Sequence, residues 1–427
     1  MPYAGTMPAE HGEHVLWHDD VTTPVANSER PSTSADVVVV GAGYAGLSAA
    51  KALAGRGRSV VVVEAGALGW GAHSRNGGMV LPELKQEPAH LRRRYGDLGL
   101  RMYEDVDAAF NFVEALIDSA AIDCDYRRCG ELYLAHSARR VAELHAVVDE
   151  HRQRGDDVRF VAPEHLGDEI GSSVFHGGAV FERAGSLHPA KFHAGLAGLA
   201  MDAGAVVVDH CAATAVTRRR GAVVVTTERG EIRAGDVVVT TNAYADGLIP
   251  ALRRRVLPVG SFIVATEPLQ PALADELSPR RRMFVDTKNF LSYWRLTPDG
   301  RMLFGGRKRL GAVTLDDAAQ YLTAALRRTH PQLASTAITH RWGGRVAITL
   351  DRLPHVGRIG DAWYATGCNG SGVALNTWLG HRLAEHLLGE APLPSFAELT
   401  HRAIPLFGAR RLWQPVVGQW FRWRDYR

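Results

Sequence analysis

The first sharp pattern in the chain is Asp36-Val37-Val38-Val39-Val40, an unbroken β-branched run of the kind that suits a strand covered on both faces in a parallel sheet. Gly41-Ala42-Gly43-Tyr44-Ala45-Gly46 follows at once, and the Ala/Leu-rich stretch 47–54 predicts a helix ending at Gly55. A second apolar run, 59–64, completes a strand-helix-strand unit. After a glycine-rich loop over 66–78, helical spacing returns with Val106, Phe110, Val113 and Ile117, and again with Val141, Leu144 and Val148. Phe192, Leu196 and Leu199 predict a further helix, followed by strands at 205–208, 223–225 and 237–239.

From 246 to 340 the pattern changes to shorter mixed runs, at 261–264, 291–296 and 301–304, with one helix near 315–328, which points to a separate antiparallel sheet. A last strand at 362–366 leads through Gly367 to Gly372 into a helix ending near Gly389. Residues 1–34 lack periodicity and read as an extended arm that Trp17 could pin to the body. No internal repeat is present.

Composition narrows the class without naming a function. At 427 residues, 46% hydrophobic and 22% charged, the chain is that of a folded, enzyme-sized protein of two to three domains. The net charge of +3 is spread along the chain, which gives nucleic-acid binding little support. Four scattered cysteines (Cys124, Cys129, Cys211, Cys368) form neither a disulfide framework nor a paired zinc motif, so no metal is expected. The longest apolar stretch, 195–208, is interrupted by Asp202, and the N-terminal residues lack a signal-like apolar segment. A cytoplasmic protein is the expectation.

The chemistry begins at Gly41-x-Gly43-x-x-Gly46. A strand precedes it, a helix follows, and the next strand ends in an acid, Glu64. Gly41 permits the tight turn, Gly43 lets amides approach a pyrophosphate, Gly46 lets helix pack on sheet, and Glu64 suits the ribose hydroxyls. This is a dinucleotide fingerprint, shared by NAD and FAD. In the loop that follows, Ser74 and Arg75 could reach phosphate or ring oxygens, with Asn76, Gly77 and Gly78 beside a redox ring. The Gly367–Gly372 turn opens a helix, where the amides of Gly370, Ser371 and Gly372 could hold the negative charge that gathers on a reduced flavin.

Taken together, these motifs resemble the FAD-dependent amine oxidoreductases of the D-amino-acid oxidase and sarcosine oxidase superfamily, most of all its gamma-glutamylputrescine oxidase group. The same resemblance is carried by Gly185-Ser186-Leu187-His188-Pro189, Thr241-Asn242-Ala243-Tyr244, Trp342-Gly343-Gly344, Asp351-x-Leu353-Pro354-x-x-Gly357 and Gly367-x-x-Gly370-x-Gly372, in order from about residue 17 onward. It implies a mixed α/β (α+β) fold with a Rossmann-like FAD-binding domain in discontinuous segments (35–85, 155–245 and 341–427). A substrate domain with a largely antiparallel sheet (86–154 and 246–340) and the arm 1–34 complete the implied organisation. It further implies oxidation of a C–N bond to an imine, with O2 giving H2O2, and places Tyr44, Ala45, Ala65, Asn242, Ala243, Gly344 and Val373 at the cofactor. By it, Val216 holds the adenine edge. A dehydrogenase of the same fold using an electron carrier, or an NAD-dependent Rossmann enzyme, would share parts of the pattern.

Amine oxidation by hydride transfer needs a neutral nitrogen, so a desolvated aromatic pocket is expected. Tyr293 and Trp294 are candidates, of which strand alternation lets only one face the pocket, and His188 and His73 are the others. No general base is assigned. The sarcosine oxidase branch links its flavin through a Cys in the segment matching 342–349, which here contains none, so the resemblance implies non-covalent FAD. Ala374 stands where that branch holds a substrate carboxylate with Lys, and Leu303 where it activates oxygen with Lys. The first departure favours a larger amine: a polyamine, a gamma-glutamylated amine or an N-substituted amino acid. The C-terminal run from Trp413, mixing Arg with Trp and Phe, is expected to pack on the FAD domain.

Overall fold

The valine run lies in β1 (Ser34–Val40), which is followed by α1 (Tyr44–Ala54) and β2 (Val60–Val63). In the computed structural model, which describes residues 12–26, 31–245 and 247–425, β1 pairs in parallel with β2 on one side and with the Gly230–Val239 strand on the other. Val206–Val208 extends the parallel array beyond β2, and Ala362–Thr366 joins the far side of Gly230–Val239. Val38 and Val39 are fully buried, as a β-branched run covered on both faces should be.

The two faces are covered differently. On one side α1 packs with the helices Asp97–Ser119, Pro189–Asp202 and Gly372–Leu387 around Leu47, Phe110, Phe192 and Leu379. On the other, the sheet's own strands Ala213–Arg219, Ala222–Thr227 and Gly230–Val239 fold over as an antiparallel meander, setting Val223, Val225 and Ile232 against Val38 and Val40.

A second eight-stranded sheet runs in the order Ile338–Ile348, Leu257–Pro268, Arg301–Gly306, Tyr293–Leu296, Met283–Asp286, Glu131–Leu134, Gly178–Phe181 and Val158–Val161. Its pairings are antiparallel except that between Met283–Asp286 and Glu131–Leu134. The helix Leu315–Thr329, capped by Thr314, backs it with Leu322 and Leu326 against Phe284, Trp294 and Phe304.

Three allocations differ from the sequence expectation. The strands Val158–Val161 and Gly178–Phe181 lie in the second sheet, although 155–245 is expected with the dinucleotide segments. A short buried run such as Gly178-Ala179-Val180-Phe181 carries no periodicity that tells one sheet from another. Ile338–Ile348 likewise pairs along nearly its whole length with Leu257–Pro268. Finally, the C-terminal helix Arg410–Asp425 packs Trp413, Val417 and Phe421 against Leu257, Val259, Phe290 and Leu310 of the second sheet's side, not on the dinucleotide sheet.

Trp17 is buried, and its Nε1 donates to the Asn76 carbonyl at 2.8 Å, so the described part of the arm is pinned to the glycine-rich loop. Residues 1–11 and 27–30 of that expected arm lie outside the described residues. Among the described residues, no helix is long and apolar enough to cross a membrane.

Candidate active site

The strand-turn-helix of β1 and α1 is closed by backbone contacts. Gly41 has φ +102°, a conformation that favours glycine, and its N–H donates to the Val63 carbonyl at 2.9 Å. A Cβ at Gly46 would lie 1.9 Å from the Gly41 carbonyl oxygen, so helix and turn touch through that glycine. No side chain caps the N-terminus of α1, which leaves its first amides free for an anion. The Glu64 carboxylate at the end of β2 accepts from Ala42 N–H at 2.9 Å and Gly66 N–H at 3.0 Å. Burial raises its pKa, and those hydrogen bonds oppose the rise.

One continuous cavity of about 1290 Å³ begins here. Gly41, Gly43, Tyr44, Ala45, Glu64 and Ala65 line one end, together with Ala212, Ala213 and Thr214. Asn76, Gly77, Asn242 and Gly344 line its middle, with Gly370, Ser371, Gly372 and Val373 at the start of the Gly372–Leu387 helix. That helix has no side-chain cap either, because the Ser371 hydroxyl is engaged by Glu83. The volume exceeds the usual range for one small ligand, and it has room for a dinucleotide with a second molecule beside it.

The loop between the two ends is stitched internally. Arg75 lines the cavity, yet its guanidinium is committed to Glu13 at 2.6 Å, to the Trp70 carbonyl at 2.7 Å and to the Gly343 carbonyl at 3.2 Å. Asn76 donates to the Ala72 and His73 carbonyls and accepts from Gly78 N–H at 2.8 Å. Tyr44 donates its hydroxyl to the His73 carbonyl. His73 also lines the cavity, its ring stacked on His193 at 4.0 Å, and burial holds its pKa well below the ordinary value. Its buried Nε2 has no partner among the described residues.

Seven expected site residues do not line the cavity. Ser74 turns inward, its hydroxyl on the Gly69 and Gly71 carbonyls and on His18. Gly46 is spent on helix packing, while Gly78, at φ +68°, lies against Leu187 and Arg295, where a Cβ would come within 2.1 Å of the Leu187 carbonyl oxygen. Val216 sits farther along its strand than Ala213 and Thr214, which do line the cavity. Ala243 is buried behind Asn242 with Val256 and Ala347. His188 caps the Pro189–Asp202 helix by accepting from Lys191 N–H, and its other nitrogen meets Asp20 at 3.0 Å. Trp294 points into the second sheet's core, stacked on Phe284 and Phe304.

Tyr293 is the member of that pair that lines the cavity. Its ring is clasped between two glycines, since a Cβ at Gly77 would lie 2.9 Å from it and one at Gly305 only 2.2 Å. Other residues here carry no sequence motif. Glu131 and Tyr133 alternate onto the cavity face of one strand, and Arg307 and Arg352 join them on the wall. Burial, then Glu83, pushes the Glu131 carboxyl up to about 8 against the pull of Lys85. Arg295 is buried, donating to Gly77 O and Leu187 O at 2.8 Å each. Strand alternation after Tyr293 was the available signal for Arg295, and before Tyr133 for Glu131.

The wall segment around Glu87 is held by His151, which lies 2.6 Å from Asp156 and 3.3 Å from Glu87. Burial opposes charge on the imidazole, but the hydrogen bonds to Asp156 and Glu87 outweigh it and raise the pKa to about 9. A raised folded-state value stabilises fully below the unfolded pKa of about 6.5 and is lost as pH rises to about 9. We expect roughly 1–2 kcal/mol of stability to disappear across that window, allowing for water around the half-exposed Glu87. Urea unfolding at pH 6 and pH 9.5 measures it, and His151→Gln should flatten the difference; an equal slope in the variant would refute this account.

Comparison with known proteins identifies the arrangement. The family model described as FAD dependent oxidoreductase (DAO) matches residues 36–386. The chain is 34% identical to gamma-glutamylputrescine oxidoreductase of Escherichia coli (strain K12) over 395 residues, covering 90% of this chain and 91% of that one. It is 32% identical to the probable oxidoreductase OrdL of Haemophilus influenzae, covering 83% of each chain. Among solved structures, glycine oxidase from Geobacillus kaustophilus superposes with a TM-score of 0.74 at 21% identity, covering 87% of this chain and all of that one. L-proline dehydrogenase from P. horikoshii gives 0.72 at 21% identity, covering 86% and 96%.

Proposed function

The chain belongs to the DAO family of FAD-dependent oxidoreductases, and from that premise we propose that it oxidises the C–N bond of an amine to an imine. The observation that carries this reading is the single cavity joining the glycine turn and Glu64 to a wall bearing Tyr293 and Tyr133. FAD supplies the two-electron acceptor. The residues of the glycine turn, Glu64 and the Gly370–Gly372 amides fit its pyrophosphate, ribose and ring edge in that order.

The rest of the chemistry belongs to the wall. A protonated nitrogen has no lone pair to become an iminium, so the amine must shed its proton before a hydride can leave the neighbouring carbon. Buried aromatic surface disfavours the charged ammonium and excludes water. Tyr293, fixed between Gly77 and Gly305, is the ring we assign to the substrate, while Glu131, held largely neutral near pH 7, adds little attraction for a cation. The absence of Cys from 342–349 supports FAD bound without a covalent link. The substrate class is a polyamine, a gamma-glutamylated amine or an N-substituted amino acid, in keeping with the name of the Escherichia coli relative. Cysteines without disulfides accord with a reducing, cytoplasmic setting.

One observation favours a second reading, that of a dehydrogenase handing electrons to a carrier. Leu303, standing where the sarcosine oxidase pattern has lysine, is buried among Trp17, Ile263 and Trp342 and offers no charge to oxygen. The visible spectrum separates the two. Titrated without oxygen, the yellow enzyme should bleach with amines of the proposed class; rapid return of colour in air with stoichiometric peroxide identifies an oxidase, and slow return a dehydrogenase. Failure of every such amine to bleach the flavin would reject the amine reading.

A further inference from the structure

We propose that His14, Asp19 and His340 form a binding site for a divalent transition-metal ion of the zinc class, which clasps the N-terminal arm to the second sheet. The three residues lie outside the cavity, and the proposal does not depend on the amine reading. Backbone pairing brings them together. His14 N–H donates to the Arg341 carbonyl at 3.0 Å and Arg341 N–H to the His14 carbonyl at 3.2 Å, so the arm adds one bridge to the edge strand Ile338–Ile348 beside His340. The short helical turn Leu16–His18 then carries Asp19 back to the same place. The rings of His14 and His340 lie with centroids 4.2 Å apart, and one ligand atom from each of the three residues falls within 4.8 Å of the others. The cysteine pattern does not reveal this group, because its ligands are two imidazoles and a carboxylate drawn from opposite parts of the chain.

The Asp19 carboxylate sits between the rings, Oδ1 at 2.8 Å from His14 Nε2 and Oδ2 at 2.9 Å from His340 Nε2. Neither nearby arginine answers its charge, because Arg341 is paired with Asp316 and Arg301 with Asp299. His340 is the buried member, and its ring is oriented from behind. The Thr339 hydroxyl donates to the Thr266 carbonyl at 3.1 Å and accepts from Arg301 Nη1 at 3.0 Å, so in its 2.7 Å contact with His340 Nδ1 the imidazole is the donor. With its proton on Nδ1, the neutral ring turns the Nε2 lone pair towards the carboxylate. A cation between them converts that repulsion into coordination, and an imidazole whose far nitrogen donates to a fixed partner is the arrangement that metal ligands share. Zinc–ligand distances of about 2.0–2.2 Å set tetrahedral ligand atoms roughly 3.3 Å apart. Small rotations of the exposed His14 and Asp19 side chains reach that spacing, and water completes the fourth position from the open side. Two imidazoles and one carboxylate suit zinc and its first-row neighbours, whereas magnesium and calcium take oxygen ligands. Glu13, next to His14, accepts from Arg75 at 2.6 Å and from Gly343 N–H at 3.2 Å, so the ion fixes the arm where it touches the glycine-rich loop.

The test is a calorimetric titration of zinc chloride into the tag-free flavoprotein after dialysis against EDTA. One zinc ion should bind per chain, excess Mg2+ should not displace it, and the melting temperature should rise with zinc. His14→Gln and Asp19→Asn replace exposed side chains and leave the fold standing; each should weaken zinc by more than about 100-fold, beyond the range lost with an outer partner, and abolish the zinc-dependent rise in melting temperature. Thr339→Val removes only the group behind His340 and should weaken zinc by about 10-fold. His14→Cys, which keeps a zinc ligand at that position, should restore binding that His14→Gln loses. Zinc that fails to bind, that binds His14→Gln and Asp19→Asn as tightly as the wild type, or that yields to Mg2+ overturns the proposal. Bound zinc without a rise in melting temperature overturns the clasp.

Discussion

Gly46→Ala is expected to yield a protein with less than about a tenth of its FAD and a stability lowered by roughly 3 kcal/mol or more. The added methyl would lie 1.9 Å from the Gly41 carbonyl oxygen and 2.7 Å from Thr240 Oγ1. The nearer obstacle is backbone, so no rotamer change relieves it. Either α1 moves off β1 or the turn opens, and both destroy the row of amides that faces the pyrophosphate. Gly198→Ala is the matching control, because its methyl would meet nothing within 4 Å on the Pro189–Asp202 helix. There, replacing glycine in a helix should stabilise by roughly 0.5–1 kcal/mol. The absorbance ratio at 450 and 280 nm and the melting temperature read both outcomes. Full flavin content in Gly46→Ala would show that the turn is not where the pyrophosphate binds.

The second large effect is expected at Arg295, where Arg295→Met should destabilise by about 3 kcal/mol and weaken FAD by about 10-fold or more. The guanidinium is buried and, among the described residues, no carboxylate is in salt-bridge contact with it. It donates instead to Gly77 O and Leu187 O at 2.8 Å and lies over the Trp17 ring at 5.2 Å. Burial lowers its pKa to about 10, with Cys129, Asp125 and Asp299 opposing. Methionine fills much of the space but leaves two buried carbonyls without donors, each worth about 1–3 kcal/mol. Arg295→Lys should rescue little, since one ammonium cannot span both carbonyls as the fork does. Reconstitution of stripped protein with FAD measures the binding loss; a variant that melts and binds like the wild type would mean the Gly77–Gly78 segment is held by other contacts.

How much of this was legible beforehand varies with the physics of each element. The β1-turn-α1-β2 unit and Glu64 were plain, because steric demands there confine the residue types at fixed spacing. Alternation foresaw that one of Tyr293 and Trp294 faces the cavity but not which, since both are large aromatics that a sheet core accepts. Val216 does not line the cavity although Ala213 and Thr214 on the same strand do, and the register of that strand is fixed by backbone pairing that the side-chain pattern does not encode. Arg295 and Glu131 were missed for a common reason: a charged residue in a strand reads as solvent-exposed, and only tertiary packing reveals that water has been removed from it. The C-terminal helix is amphipathic in either packing arrangement, so its sequence did not choose between sheets.

The order of strands in the dinucleotide sheet also says something about synthesis. β1 emerges early, yet its partner on one side is Gly230–Val239, and the helix lodged on α1, where a Cβ at Gly380 would lie 2.0 Å from the Ala45 carbonyl oxygen, ends only at Leu387. A nascent chain on the ribosome therefore carries its glycine turn for most of translation without the elements that hold it in place. Flavin capture is a late event in the life of each new chain, and truncated products released before that helix is made should be colourless.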